Sequence, residues 1–396
     1  MAISRGFIKL EVVSSSLLLV ATISALILSN SPWSYYYDEF FNKIVYLNIA
    51  TFTLKTNLKY LINEGLMTIF FLVVGLEVKY EFLQGSLNSL RASMLPIVAA
   101  IGGMIVPAII YVGFNYHGVI GLRGWAIPTA TDIAFALGVL SLLGSRIQPA
   151  LRAFLTALAI IDDVIAIIII ALFYTDHLVV IYLALAFIFL MILLIMNVMK
   201  INNLILYCTI GIFLWVSLLR TGIHPTLAGV LLAFSIPINH DNHNKASPLH
   251  SLMKKIHPLV ALGILPLFAF ANAGLTFFSL SPELLHFSIV SGIILGLFLG
   301  KQFGIFGASW IAIKFGISKL PASVKWIDLY GVSIICGIGF TISLFIGALA
   351  FGDGNNSYIL SVKLGVLAGS VLSGLVGFFV LLVSNRIYKK RNCIKK

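Results

Sequence analysis

The chain has 396 residues, of which 60% are hydrophobic and only 10% charged. That excludes a water-soluble globular body, which needs more polar residues to cover so much apolar surface. The formal charge of +12 does not mark a nucleic-acid groove, because the Lys and Arg are scattered in short loops and a tail, with one, Lys301, inside an apolar span.

Apolar stretches near the roughly 20 residues that cross a bilayer follow one another almost end to end. They predict an all-α polytopic membrane protein, one transmembrane domain over residues 1–396. Twelve spans are expected, at roughly 10–29, 58–84, 94–115, 122–143, 149–174, 178–199, 203–219, 222–236, 256–280, 288–312, 326–350 and 359–384. The first follows Arg5 and Lys9 and is read as a retained span rather than a cleaved signal.

Orientation follows the basic residues. With the N-terminus inside, nineteen Lys and Arg fall on the cytoplasmic side. They include Lys79, Arg91, Arg146, Arg152, Lys200, Lys245, Lys254, Lys255 and the tail from Arg386 to Lys396. Six fall outside (Lys43, Lys55, Lys59, Arg123, Arg220 and Lys363), and Lys301 is left in the membrane. Both termini are therefore placed in the cytoplasm. The external loop at about 30–57 contains IVYLNIATFTLK, whose β-branched and aromatic residues suit a short hairpin or an ordinary structured loop. Free hairpin edges would pair with a second copy, which makes a homodimer the expected assembly. Cys208, Cys336 and Cys393 have no metal or disulfide spacing and are read as inert thiols.

The fifth span carries LAIIDDVIAIIII. A charge at the bilayer centre costs about 2.5 kcal/mol or more, so Asp162 and Asp163 are retained for pairing or function. They lie about 20 Å along their helix and point about 100° apart, edging one cavity without sharing a face. Two such carboxylates resist joint ionisation and form a hard oxygen site for a proton or a small cation such as sodium or lithium. Lys301, in LFLGKQFGI, is the one deep basic residue. It serves as a counter-charge to one aspartate or sheds its proton in the apolar interior. The fourth span reads GWAIPTATDIAFALG, in which Pro128, Thr129, Thr131 and Asp132 oppose a continuous helix. The freed backbone groups must be satisfied locally, and Asp132 suits the positive ends of half-helices. The eleventh span has a related interruption, CGIGFTISLFIG, with Gly337, Gly339, Thr341 and Ser343. Two interrupted spans in corresponding halves predict inverted-topology repeats, about 94–174 and 288–384, with the site where two discontinuous helices cross.

GLEVKYEF (75–82), GWAIPTATDIAFALGVLSLLGSR (124–146), LAIIDDVIAI (158–167), RTGIHPTLAGVLLAF (220–234), LPLFAFANAG (265–274) and GKQFGIF (300–306) together resemble the NhaA family of bacterial sodium/proton antiporters. The resemblance covers about residues 8–385, and inverted repeats are a known feature of that family. It implies an inner-membrane carrier, not an enzyme, with no cofactor. The implied activity is electrogenic, pH-dependent exchange of cytoplasmic Na+ or Li+ for external H+ by alternating access. By position, Asp163 is implied as the principal ion and proton carrier, with Asp162 as its partner, alternately paired with Lys301. Asp132 and Thr131 are implied as compensating and accessory residues at the crossing. Glu77, Glu81 and His224 fall where the family affects its pH response, and His257 is kept. Physics alone reads Glu77 and Glu81 as a solvated i,i+4 pair near a helix end. Departures are Met253 and Lys254 where Glu and His are usual, Tyr80 for a basic residue, and Ile165 for a glycine; they put the pH window in question.

Other readings of the same acids are a carrier for another cation, a cation channel and an intramembrane aspartyl protease. Two broken spans around a titratable pair favour a carrier over a channel. The protease reading wants acids on facing helices and a Gly-x-Gly-Asp motif, which the sequence lacks. A carrier for a bile-acid-like anion is disfavoured by a site dominated by carboxylates.

Overall fold

A computed structural model describes residues 2–49, 52–85, 87–144, 147–175, 178–238, 247–277, 283–321, 323–352 and 356–394. Arg146, Lys245, Lys395, Lys396 and residues 50–51 of the expected external loop lie outside them. The fold is 80% helical with one two-stranded sheet. Among the described residues, eight helices are long and apolar enough to span a membrane, and two bent pairs raise the number to ten. Leu204–Leu218 is a shorter apolar helix. The segment expected as a span at 222–236 contains only a nine-residue helix, Leu227–Ser235. Gly222 takes φ +86, a left-handed conformation, and Pro225 follows three residues later, so the apolar run cannot start as a helix.

The chain forms two compact units. The first comprises Met1–Leu19, Gln84–Ala166 and Leu275–Lys396. In it, Phe287–Leu295 and Trp326–Ile335 pack on the long helix Asn356–Ile394. Leu90–Asn115 packs on the 3₁₀ segment Arg123–Thr129 and on the turn Gln302–Phe306. Both interruptions read from the sequence are present. Val119–Thr129 meets Ile133–Leu142 at 42°, and Trp326–Ile335 meets Phe340–Phe351 at 43°.

The second unit comprises Val20–Leu83 and Ile167–Gly274. Its core gathers Leu72, Leu76, Leu193, Tyr207, Leu214 and Leu232. Leu227–Ser235 lies tight against Met67–Leu83 because Gly229 lets its backbone touch the Thr68 carbonyl, which a β-carbon would strike. The loop at 30–57 is more ordered than its sequence suggests. It opens with a helix, Ser34–Asn42, and then forms the hairpin Ile44–Ile49 with Phe52–Asn57, in the register Ile44↔Asn57 to Ile49↔Phe52.

Candidate functional site

The aspartates stand on Pro149–Phe173, a continuous helix of Leu, Ile and Ala begun by a proline that needs no intrahelical donor. Asp162 and Asp163 are both buried. Asp162 Oδ2 accepts a hydrogen bond from Lys301 Nζ at 2.7 Å, and Lys301 is fully buried. Thr131 Oγ1 lies 2.8 Å from the same oxygen and 2.9 Å from the Cys336 carbonyl, so its single proton serves one or the other. Asp162 Oδ1 has no hydrogen-bond partner among the described residues.

Lys301 is held by an unusual backbone. Wider π turns, Gly296–Gly300 and Gln302–Phe306, flank it on both sides. Such turns are rare and tend to mark functional positions. Gly304 and Gly102 bring the lysine span against Leu90–Asn115, and a β-carbon on either would collide with the other's carbonyl.

The crossing explains Asp132. Its Oδ1 accepts from the Phe135 backbone N–H at 3.0 Å and caps Ile133–Leu142. Its Oδ2 accepts from Thr341 N at 3.0 Å and Thr341 Oγ1 at 2.6 Å, in the first turn of Phe340–Phe351. One carboxylate thus faces the positive N-terminal ends of two half-helices. The opposite ends are satisfied reciprocally: Ser343 Oγ donates to the Ile127 carbonyl at 2.6 Å, and Asp132 N–H donates to the Ile338 carbonyl at 2.7 Å. Each break supplies partners for the other, which is how irregular backbone persists where water is scarce.

Asp132, Thr131, Asp162, Asp163 and Lys301 all belong to the first unit, and Thr131, Asp162 and Lys301 are linked by the bonds above. The residues expected in the pH response belong to the second. There Glu77 Oε1 is 3.4 Å from His257 Nε2, both only partly exposed, so Glu77 is not the freely solvated charge that its position near a helix end suggests. Glu81 is also half-buried. His224 Nδ1 is 2.7 Å from Thr226 Oγ1, and its Nε2 is 3.2 Å from Glu64 Oε2. Glu64 was not anticipated from sequence. Its only signal is one acid in an otherwise apolar window, near Asn63, whose side chain pairs with Asn272. Lys79 Nζ donates to the Phe234 and Ile236 carbonyls at the end of Leu227–Ser235, a C-terminal cap. Of the departures, Met253 packs against the unit's core, Tyr80 meets His250 edge-on, and Lys254 is exposed.

Among the described residues no three His, Cys, Asp or Glu gather as a metal site. The oxygens gathered at Asp162 are its own carboxylate, the Thr131 hydroxyl and the Cys336 carbonyl, hard donors suited to a proton or a small cation. Fold and site define a multi-pass helical membrane protein whose ionisable groups meet at broken helices.

The comparisons narrow that class. The Na+/H+ antiporter 1 family matches residues 5–381. The chain is 49% identical over 382 residues to the Na(+)/H(+) antiporter NhaA of Pelagibacter ubique, covering 96% of this chain and 97% of that protein. It is 48% identical over 387 residues to the protein of that name from Rhodospirillum rubrum, with 96% and 97% covered. It is 44% identical over 380 residues to the one from Vibrio cholerae, with the same coverage. The chain belongs to the Na+/H+ antiporter 1 family.

Proposed function

We propose that this chain is a carrier, not an enzyme, in a bacterial inner membrane, exchanging cytoplasmic Na+ or Li+ for external H+. The observation that carries the proposal is the buried Asp162. One of its oxygens is shared by Lys301 and Thr131, the other lacks a hydrogen-bond partner among the described residues, and a second carboxylate follows at Asp163. Family membership supports the same reading, since the relatives are named for that exchange.

In this mechanism protons and sodium compete for one site. At low pH the Asp162–Asp163–Lys301 site holds two exchangeable protons, one on Asp163 and one within the Asp162–Lys301 pair, so no cation binds. As pH rises the protons leave, Lys301 releases Asp162, and both carboxylates hold the cation, with the Thr131 hydroxyl and the Cys336 carbonyl as neutral oxygens. The loaded site then opens to the other side, driven only by different affinities in the two states. Two protons returning for one sodium ion make the cycle electrogenic, worth roughly 2.3 kcal/mol per charge per 100 mV. Asp132 stays fixed and offsets the half-helix ends. Glu77 with His257, Glu81, and His224 with Glu64 set the pH window, which Tyr80, Met253 and Lys254 alter. The lysine and arginine asymmetry supports twelve spans with both termini inside. The matched bends of 42° and 43° support inverted repeats at 94–174 and 288–384. The two-stranded hairpin supports a homodimer formed by pairing its edges with those of a second copy.

Everted vesicles test the proposal. Na+ or Li+ added to the wild type should collapse the acid gradient, K+ should not, and Asp163→Asn should abolish the response. A wild type that ignores Na+ would refute the exchange. A response that survives in Asp163→Asn would refute the assignment of the carrier residue. Exchange in proteoliposomes that a membrane potential neither speeds nor slows would refute electrogenicity.

A further inference from the structure

The helix Ser34–Asn42 in the second unit follows the end of the first span, Ser29, after a short turn in which Asn30 and Ser31 donate to the Ile27 and Leu28 carbonyls. At about 100° per residue, Tyr36, Phe40, Trp33, Tyr37 and Phe41 fall within one arc of roughly 140°. The remaining arc holds Ser34, Tyr35, Asp38, Glu39 and Asn42.

The aromatic arc has two halves. Tyr37 and Phe41 face the protein: their rings meet Phe270 at 5.6 and 5.8 Å, the Tyr37 hydroxyl donates to the Phe270 carbonyl, and Phe41 is only 3% exposed. Gly274 makes room for Tyr37, whose ring would lie 2.7 Å from a β-carbon there. The other half is open. Trp33, Tyr36 and Phe40 are 67%, 69% and 58% exposed, three large rings in a row. The same unit's part of the preceding span carries the exposed apolar residues Val20, Ile23 and Ile27.

We infer that Ser34–Asn42 is an interfacial anchor that lays Trp33, Tyr36 and Phe40 into the headgroup region of the outer leaflet. Three observations assign lipid as the occupant. The span before the helix exposes Val20, Ile23 and Ile27, apolar residues that a bilayer would cover. The stripe of rings stands within one turn of the end of that span. Its residues are Trp, Tyr and Phe, and rings with an apolar body and a polar tip collect at the membrane–water boundary. The helix has the large sidedness of an in-plane helix but carries no Lys or Arg. Attraction to anionic lipid therefore plays no part, and Asp38 and Glu39 point to water. With Tyr37 locked to Phe270, the anchor holds the outer end of Pro248–Asn272, where Asn272 pairs with Asn63.

The test uses the full-length protein in phosphatidylcholine vesicles, with and without phosphatidylglycerol. Cys208 and Cys393 are changed to Ser, and Cys336 stays because it is fully buried. A fluorescent thiol probe is placed at Tyr36→Cys or Glu39→Cys. The probe at 36 should be quenched by a lipid bearing a nitroxide high on its acyl chain and spared by iodide. The probe at 39 should show the reverse, and neither pattern should depend on phosphatidylglycerol. Iodide quenching at both positions would put the helix in water and overturn the inference. Shielding of position 36 from both quenchers would mean that protein covers the stripe, and would overturn it too.

Discussion

Changing Lys301 to Met isolates the ion pair at the centre of the site. Lys301 Nζ and Asp162 Oδ2 are 2.7 Å apart and both residues are buried. At an effective dielectric of about 20, such a pair attracts by about 6 kcal/mol. Most of that attraction offsets the cost of taking two ions out of water, so the net worth of the pair is far smaller. Removing one partner alone is different, because the other stays buried without its counter-charge, at about 3–5 kcal/mol. Lys301→Met and Asp162→Asn should each destabilise the protein strongly. The double variant removes both charges together and should recover about 1–3 kcal/mol relative to the sum of the singles. The assay is survival of purified protein after heating in detergent, read by size-exclusion chromatography at one fixed pH. It requires no transport, so it is independent of the proposed exchange. Lys301→Met melting with the wild type, or a double variant equal to the sum of the singles, would refute the reasoning.

Three further outcomes follow from the geometry. Asp132→Ala uncaps two half-helices and should cost about 1–2 kcal/mol per cap, whereas Thr341→Val loses one hydroxyl bond and about 1 kcal/mol; the same heating assay refutes this if Thr341→Val is the worse variant. Gly304→Ala pushes a β-carbon into the Gly102 carbonyl and should cost about 1–3 kcal/mol while displacing Lys301, with weaker Na+-driven alkalinisation in everted vesicles; a wild-type melt and wild-type exchange would contradict it. Glu64→Gln and His224→Ala, taken from a buried pair 3.2 Å apart, should each move the pH profile of exchange, and the double variant should move it no further; additive shifts would show that the two act separately.

Several features were legible in the sequence because each has a local physical cause. Apolar runs with few charges announce membrane spans, and the high cost of a buried charge makes Asp162, Asp163 and Lys301 conspicuous within them. Pro128 with two threonines and Asp132, and the glycines at 337 and 339, weaken a helix wherever they fall, so both interruptions were visible too. Local pattern was less reliable elsewhere. The apolar run at 222–236 reads as a span, although Gly222 and Pro225 leave only Leu227–Ser235 helical. The Ser34–Asn42 helix was hidden, because its aromatic run acquires a buried side only where Phe270 meets Tyr37 and Phe41.

What the sequence by itself determined was the class: a helical membrane protein, its family, and the charged residues that must be explained. Which groups meet was decided by tertiary structure alone. Lys301 reaches Asp162 across 139 residues of chain, and Asp132 reaches Thr341 across 209. No periodicity encodes such a meeting. It depends on glycine-sized contacts between spans, on the π turns around Lys301, and on the angle at each break. The burial that makes a lone charge costly acts residue by residue and is written in the sequence. The partner that offsets the cost is set by packing between distant segments and appears only in the folded chain.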